Sequence, residues 1–235
     1  MWHNPRLLNL AAGFLVGIAA LVFAIVALQL VLRSALFPVR EIRVVGELRE
    51  TSREALEDAA RGRVASNLLA ADLDALRAAL EELPAVRRVS VRRAWPDRLE
   101  VALEEHVALA RWGEEGLVNT YGEVFAGKAK GLPTFVGPAG TSAEVARRYQ
   151  RFAGIVEPLG SQLERVVLTA RFGWQLRLAS GMKIMLGRDA DAGEARLRAF
   201  VAAYPQTLGR VAGEHGYVDL RYPNGFALRV AAPSG

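Results

Sequence analysis

The sequence predicts a single-pass membrane protein with an α+β body. That body is a β-α-α-β-β module followed by a mostly antiparallel β domain with two helices. Three observations predict it. One uninterrupted apolar run, Leu10–Leu28, has no charge, no Pro and no amide. Everything after Arg33 mixes polar and apolar residues, as a folded soluble domain does. Within that body, period-two alternation and three/four spacing follow one another in a definite order.

The run reads LAAGFLVGIAALVFAIVAL, nineteen residues bracketed by Asn9 and Gln29, with Leu30, Val31 and Leu32 extending it to Arg33. At about 1.5 Å per residue it spans roughly 28 Å, close to the ~30 Å hydrocarbon core of a bilayer. A cleaved leader has an apolar region of only about 7 to 15 residues and a small-residue cleavage site. The run is longer than that, and Arg33-Ser34-Ala35-Leu36 is a poor site. Apolar residues cover every face, which suits lipid rather than one protein core. The expected division is a tail over 1–9 and a membrane helix over 10–32. Gly13 and Gly17 form a G-x-x-x-G pair, a pattern found where membrane helices approach closely and also wherever Gly is common in such helices. Arg6 precedes the span, and Arg33, Arg40 and Arg43 follow it. A simple positive-inside count therefore does not put the amino end in the cytoplasm, but long domains translocate largely regardless of charge.

The first module is expected over 37–106. Phe37-Pro38 leads into Val39–Val45, where Ile42 and Val44 alternate with Glu41 and Arg43, and Gly46 ends the strand. Thr51-Ser52-Arg53-Glu54 has the capping-box pattern and opens a short helix through Ala60. Leu69, Leu73, Leu76, Leu80 and Leu83 mark one face of a second helix, ended by Pro84. A hairpin follows, Val89 and Val91 in one strand, Leu99, Val101 and Leu103 in the other, turning at Trp95-Pro96-Asp97-Arg98. One strand turns Arg outward and the other Glu, so cross-strand ion pairs explain that basic run.

The second module is expected over 107–235. Strands are read at Leu109–Trp112, Leu117–Phe125 (a hairpin turning at Gly122), Leu132–Val136, Leu163–Ala170, Trp174–Ala179 and Lys183–Leu186. Helices are read from Thr141 to Val156 and from Asp189 to Tyr204, the latter ending before Pro205. Tyr217–Tyr222 and Phe226–Val230 form a last hairpin around Pro223-Asn224-Gly225, since Asn-Gly between alternating runs is a strong hairpin signal.

Composition excludes several function classes. The charge is +5 with three His and no Cys, and ligand-type residues do not cluster at metal spacing. Basic residues are almost all Arg, spread along the chain among Glu, which reads as a mixed surface rather than a nucleic-acid patch. Glu104-Glu105-His106 sits at a strand end, where successive side chains point to opposite faces and need not converge. Asp189 and Asp191 suit a helix N-terminus. Gly187-Arg188 lacks the Gly-rich signature and Lys of a phosphate loop. His215 lies in a Gly-rich stretch with no recognisable triad spacing. The expectation is a non-enzymatic protein without metal or cofactor.

Several segments resemble one family. Phe37-Pro38-Val39, Val44-Val45-Gly46, Leu83-Pro84-Ala85-Val86, Val91-Arg92-Arg93-Ala94-Trp95-Pro96-Asp97 and Glu104–Trp112 are similar to the POTRA region of the FtsQ/DivIB cell-division family. Leu117–Phe125, Thr169-Ala170-Arg171, Trp174-Gln175-Leu176, Leu186-Gly187-Arg188, Phe200-Val201, Tyr204-Pro205 and Tyr217–Tyr222 with Asn224-Gly225 continue the likeness to about residue 230. Ala85, Val230 and the short tail depart from it. The resemblance implies a divisome scaffold of the inner membrane, with a cytoplasmic amino terminus and a periplasmic body at the division septum. It implies FtsB and FtsL as partners, and through them control of septal peptidoglycan synthesis. A partner strand would add at the last strand, with Arg171, Arg221, Tyr222, Asn224, Gly225, Ala227 and Arg229 as contact residues. A POTRA-bearing transport component is the alternative, but the roughly 125 remaining residues include two helices and are too few for a large barrel.

Overall fold

A computed structural model describes residues 5–33, 38–63, 67–114, 116–207, 215–222 and 225–230. The chain forms two compact units, Met1–Glu105 and His106–Gly235.

Helix α1 runs Pro5–Arg33. It starts five residues before the apolar run because Pro is well placed in a first turn, where its missing N–H costs nothing. Within it, Asn9–Val31 is long and apolar enough to cross a membrane, and none of that stretch is buried against protein.

The first module is built from β1 (Glu41–Val45), α2 (Arg53–Ala60), α3 (Leu73–Glu81), β2 (Val86–Ala94) and β3 (Arg98–Glu105). The sheet order is β1-β3-β2, with β1 parallel and β2 antiparallel to β3. The two helices bury Leu56, Leu76 and Leu80 against Val89, Leu99, Val101 and Leu103 of the sheet. Each such side chain contributes about 1.5–3 kcal/mol of burial. The other face carries the expected cross-strand pair Arg92–Glu100 at 2.7 Å, while Glu104, in register with Arg88, meets Arg87 at 2.9 Å beside a strand irregularity.

Two local expectations are corrected. The cap of α2 is Ser52, whose Oγ accepts from the Ala55 N–H at 3.2 Å. The Thr51 N–H instead donates to Glu105 Oε1, which takes Thr51 out of the capping role. Helix α3 is capped by Asp72, so Leu69 and Leu83 lie outside it, and Leu68 rather than Leu69 is fully buried.

The second module is one nine-stranded sheet. Its strands are β4 (Ala108–Trp112), β5 (Gly116–Asn119), β6 (Val124–Phe125), β7 (Thr134–Val136), β8 (Leu163–Leu168), β9 (Trp174–Leu178), β10 (Lys183–Gly187), β11 (His215–Asp219) and β12 (Ala227–Val230). Their order is β12-β11-β10-β9-β8-β7-β4-β5-β6. Most neighbours are antiparallel, and the pairs β4–β7, β7–β8 and β10–β11 are parallel. Helices α4 (Ser142–Val156) and α5 (Ala190–Thr207) pack on the face presenting Val166, Trp174, Leu176, Ile184, Leu186 and Val218.

Glu194 in α5 is buried, and Arg148 of α4 meets it at 2.7 Å and Asp191 at 2.6 Å, which locks the helices together. Helix α5 continues through Pro205 to Thr207 instead of stopping before it. Only Gln206 and Thr207 follow Pro205, so the bond its missing N–H cannot make to the Val201 carbonyl, and the crowding of its ring on that carbonyl, fall in the final turn.

Candidate functional site

The last strand ends the sheet. β12 pairs antiparallel with β11, Tyr217 opposite Arg229, Val218 opposite Leu228 and Asp219 opposite Ala227, and it has no strand on its other side among the described residues. In such a ladder alternate residues direct their N–H and C=O away from the neighbour. Among the described residues, the outer edge of β12 is thus a short row of backbone donors and acceptors without a strand partner.

The edge is anchored by alternation. Phe226 meets Phe200 of α5 edge-to-face with centroids 5.4 Å apart, and Leu228 packs on the buried core. Ala227 and Arg229 are exposed on the opposite face. Side chains on one face hold the strand down, and the backbone edge stays available.

Before the hairpin the chain is braced by one ion pair. Buried Asp219 accepts from the Arg221 N–H at 3.0 Å and from Arg221 Nε and Nη2 at 2.9 and 2.5 Å. The bond from the Arg221 side chain is the main reason that the Asp219 carboxyl is held below its usual range, against the opposing effect of burial. The Leu220 N–H donates to the Met185 carbonyl at 2.8 Å, tying the end of β11 to β10. Arg221, predicted as a partner contact, is therefore already engaged by Asp219. Tyr222 beyond it is 53% exposed.

Arg171 lies in the β8–β9 turn. The Thr169 N–H donates to the Gly173 carbonyl at 2.9 Å, and Thr169 Oγ1 accepts from the Gly173 N–H at 2.9 Å. Phe172 sits at φ 58 and is 58% exposed. A bulky residue in the left-handed region is strained, and here it presents an aromatic ring to solvent. The sequence reading missed Phe172; an aromatic directly before Gly in a tight turn is the signal that could have found it.

Registers place these residues relative to one another. Trp174 pairs with Gly187, and Met185 with Asp219, which pairs with Ala227. Arg171, Arg221, Tyr222 and Gly225 therefore share one end of the sheet, the β8–β9 turn lying three strand spacings, about 14 Å, from β12. Arg229 lies further down its strand and does not join them. Asn224 falls outside the described residues.

The candidate acids and imidazoles are each engaged locally. Glu105 accepts from the backbone N–H groups of Arg49, Glu50 and Thr51 at 2.8, 3.1 and 2.8 Å. Burial raises its pKa; the nearby Thr51 hydroxyl and the hydrogen bonds from these three N–H groups outweigh that and lower it. His106 stacks on Phe125 at 4.2 Å, and its Nδ1 is 2.9 Å from Asn119 Nδ2. Asp189 caps α5 by accepting from the Ala192 N–H at 3.0 Å. The side chain of His215 falls outside the described residues. No group of three or more His, Cys, Asp or Glu that could hold a metal ion occurs among the described residues.

Comparison with known proteins places this geometry in context. Residues 110–221 match the family model "Cell division protein FtsQ/DivIB, C-terminal", and residues 37–106 match the "POTRA domain, FtsQ-type". A cell division protein FtsQ of Burkholderia pseudomallei is 40% identical over 98% of this chain and 95% of its own length. Cell division proteins FtsQ of Nitrosospira multiformis and Neisseria gonorrhoeae are 37% and 33% identical, over 97% and 100% of this chain and 99% and 97% of their own lengths.

Proposed function

The chain belongs to the cell division protein FtsQ/DivIB family, and on that premise we propose that it is a non-enzymatic scaffold of the bacterial divisome. It sits in the inner membrane at the septum through Asn9–Val31, with its amino end cytoplasmic and its body periplasmic. Its partners are FtsB and FtsL, and through them it links early and late division proteins and influences septal peptidoglycan synthesis.

The observation that carries this reading is the open edge of β12. An extended partner segment adds there as a tenth strand, with affinity from main-chain bonds and specificity from alternate side chains. Tyr222, Gly225, Ala227 and Arg229 line the receiving strand and its approach, and Asn224 belongs to the same hairpin. Arg171, with Phe172 beside it, meets an acidic residue of the partner further along that end of the sheet. Arg221 acts through Asp219 by fixing the bend that delivers the hairpin.

The test is deletion of residues 224–230 in the full-length protein. Membrane insertion and folding of both units are expected to persist, and co-purification with FtsB and FtsL to disappear. Co-purification retained by a normally folded body contradicts the edge reading. Orientation is tested separately: external protease acting on spheroplasts removes the body if it is periplasmic and spares it if it is not.

A further inference from the structure

The nine-stranded sheet carries α4 and α5 on one face. The other face has no helix among the described residues, and its registers align five cations in one row across seven strands, with Thr134 and Tyr217 at the other two positions. Arg111 of β4 pairs with Thr134 of β7, Thr134 with Arg165 of β8, and Arg165 with Arg177 of β9. Arg177 pairs with Lys183 of β10, Lys183 with Tyr217 of β11, and Tyr217 with Arg229 of β12. At about 4.8 Å per strand, the stretch from Arg165 to Arg229 is roughly 19 Å long.

These charges are poorly compensated. Arg177 meets Glu164 at 3.4 Å, with both side chains about half exposed. Arg165, Lys183 and Arg229 form no ion pair among the described residues. Like charges directly opposite on neighbouring strands repel. The hairpin of the first module shows the ordinary solution, Arg facing Glu at 2.7 Å. The second sheet instead sets Arg165, Arg177 and Lys183 side by side.

The adjoining row is Val136, Val167, Gln175, Met185, Asp219 and Ala227. It is neutral apart from Asp219, whose carboxylate is held by Arg221 at 2.5 Å. Val167 and Met185 are half-buried, and with Arg165, Gln175, Arg177 and Lys183 they line a shallow depression of about 220 Å³. Cations beside the apolar side chains of Val167 and Met185 make this depression an amphipathic receptor.

We propose that this helix-free face docks an acidic amphipathic α-helix of a partner protein, its axis lying across the strands. Acidic side chains four residues apart on a helix are separated by about 6 Å along its axis, close to the strand spacing, so successive turns meet Arg165, Arg177 and Lys183. The apolar stripe of the same helix rests on Val167 and Met185. The half-buried Val167 and Met185 favour a helix over an anionic glycan or a lipid headgroup, whose charges would leave those side chains uncovered. The proposal stands on the row and not on the edge of β12.

The test places a photo-cross-linking amino acid at Met185 in the full-length protein in dividing cells. The expected adduct is to a protein, and its cross-linked peptide is acidic and helical. The double reversal R165E/K183E lowers the yield roughly tenfold, and acid-to-Lys changes in the identified peptide restore it. A muramidase-sensitive adduct, an adduct of lipid mass, or an adduct to a second copy of the chain overturns the proposal. So does an undiminished yield in R165E/K183E, or no adduct at Met185 while the same amino acid at Ala227 still reports a partner at the edge.

Discussion

The nine-stranded sheet ends in two edges, and they are finished differently. At one end β6 is two residues long. It is closed by buried Asn119, whose Oδ1 accepts from the Tyr121 and Glu123 N–H groups at 2.9 Å and whose Nδ2 donates to Glu123 at 2.6 Å. Gly122 turns this hairpin at φ 84, pressed so closely on Ala143 that a Cβ there would overlap its backbone. At the other end β12 has four residues, held by side chains on one face only. Exposed edges invite unwanted pairing, and short, pinned edge strands are a usual protection. This contrast supports the proposal that β12, and not β6, receives a partner strand.

Breaking the pinned edge should have the largest effect. Asn119→Ala orphans two backbone N–H groups and removes the Glu123 contact, so the second unit should lose about 3 kcal/mol, read as a lower denaturation midpoint. Partner capture by the fraction that remains folded should be unchanged.

Asp219→Ala removes the brace before the last hairpin and should cost about 2 kcal/mol. Its effect should concentrate on β11 and β12, seen as faster local amide exchange. The same pair sets a pH dependence. The folded carboxyl titrates below its ordinary value of 3.8, so its stabilisation is complete above that pH and is lost as pH falls through the folded value. Loosening of the hairpin on acidification is expected only below about pH 4 and should be absent in Asp219→Asn.

Phe226→Ala removes the anchor on Phe200. About 1.5 kcal/mol of local stability should go, and partner capture should fall with it because β12 is then less often in place. The smallest effect on stability belongs to Arg171→Ala, within about 0.5 kcal/mol, since the side chain is exposed. Capture of FtsB should nonetheless weaken several-fold, a split between stability and binding that a merely structural residue would not give.

Much of this fold is legible in the sequence because period and punctuation agree. Leu99, Val101 and Leu103 alternate and are buried, and Gly122 sits in the turn expected of it. The order of the elements and the place of β12 at the end of the chain follow from the same reading. Three features were not legible. Ile42 and Val44 alternate as a buried strand would, yet they are 40% and 39% exposed, because β1 lies at a sheet edge where the helices cover it incompletely. Arg221 is expected only as a partner contact, and its ion pair with Asp219, two residues away, is seen only in the structure. The row Arg165, Arg177, Lys183 and Arg229 draws on four separate strands, and only register brings those residues into line.

The central claim is that partners pair with the open edge of β12 and not with the pinned edge of β6. Amide hydrogen exchange on the full-length protein in nanodiscs, with and without the periplasmic segments of FtsB and FtsL, tests it most directly. Slower exchange of the outward amides within 227–230, with those of Val124 and Phe125 unchanged, is the result predicted. Protection confined to other surfaces, with 227–230 exchanging as fast in the complex as alone, would contradict it.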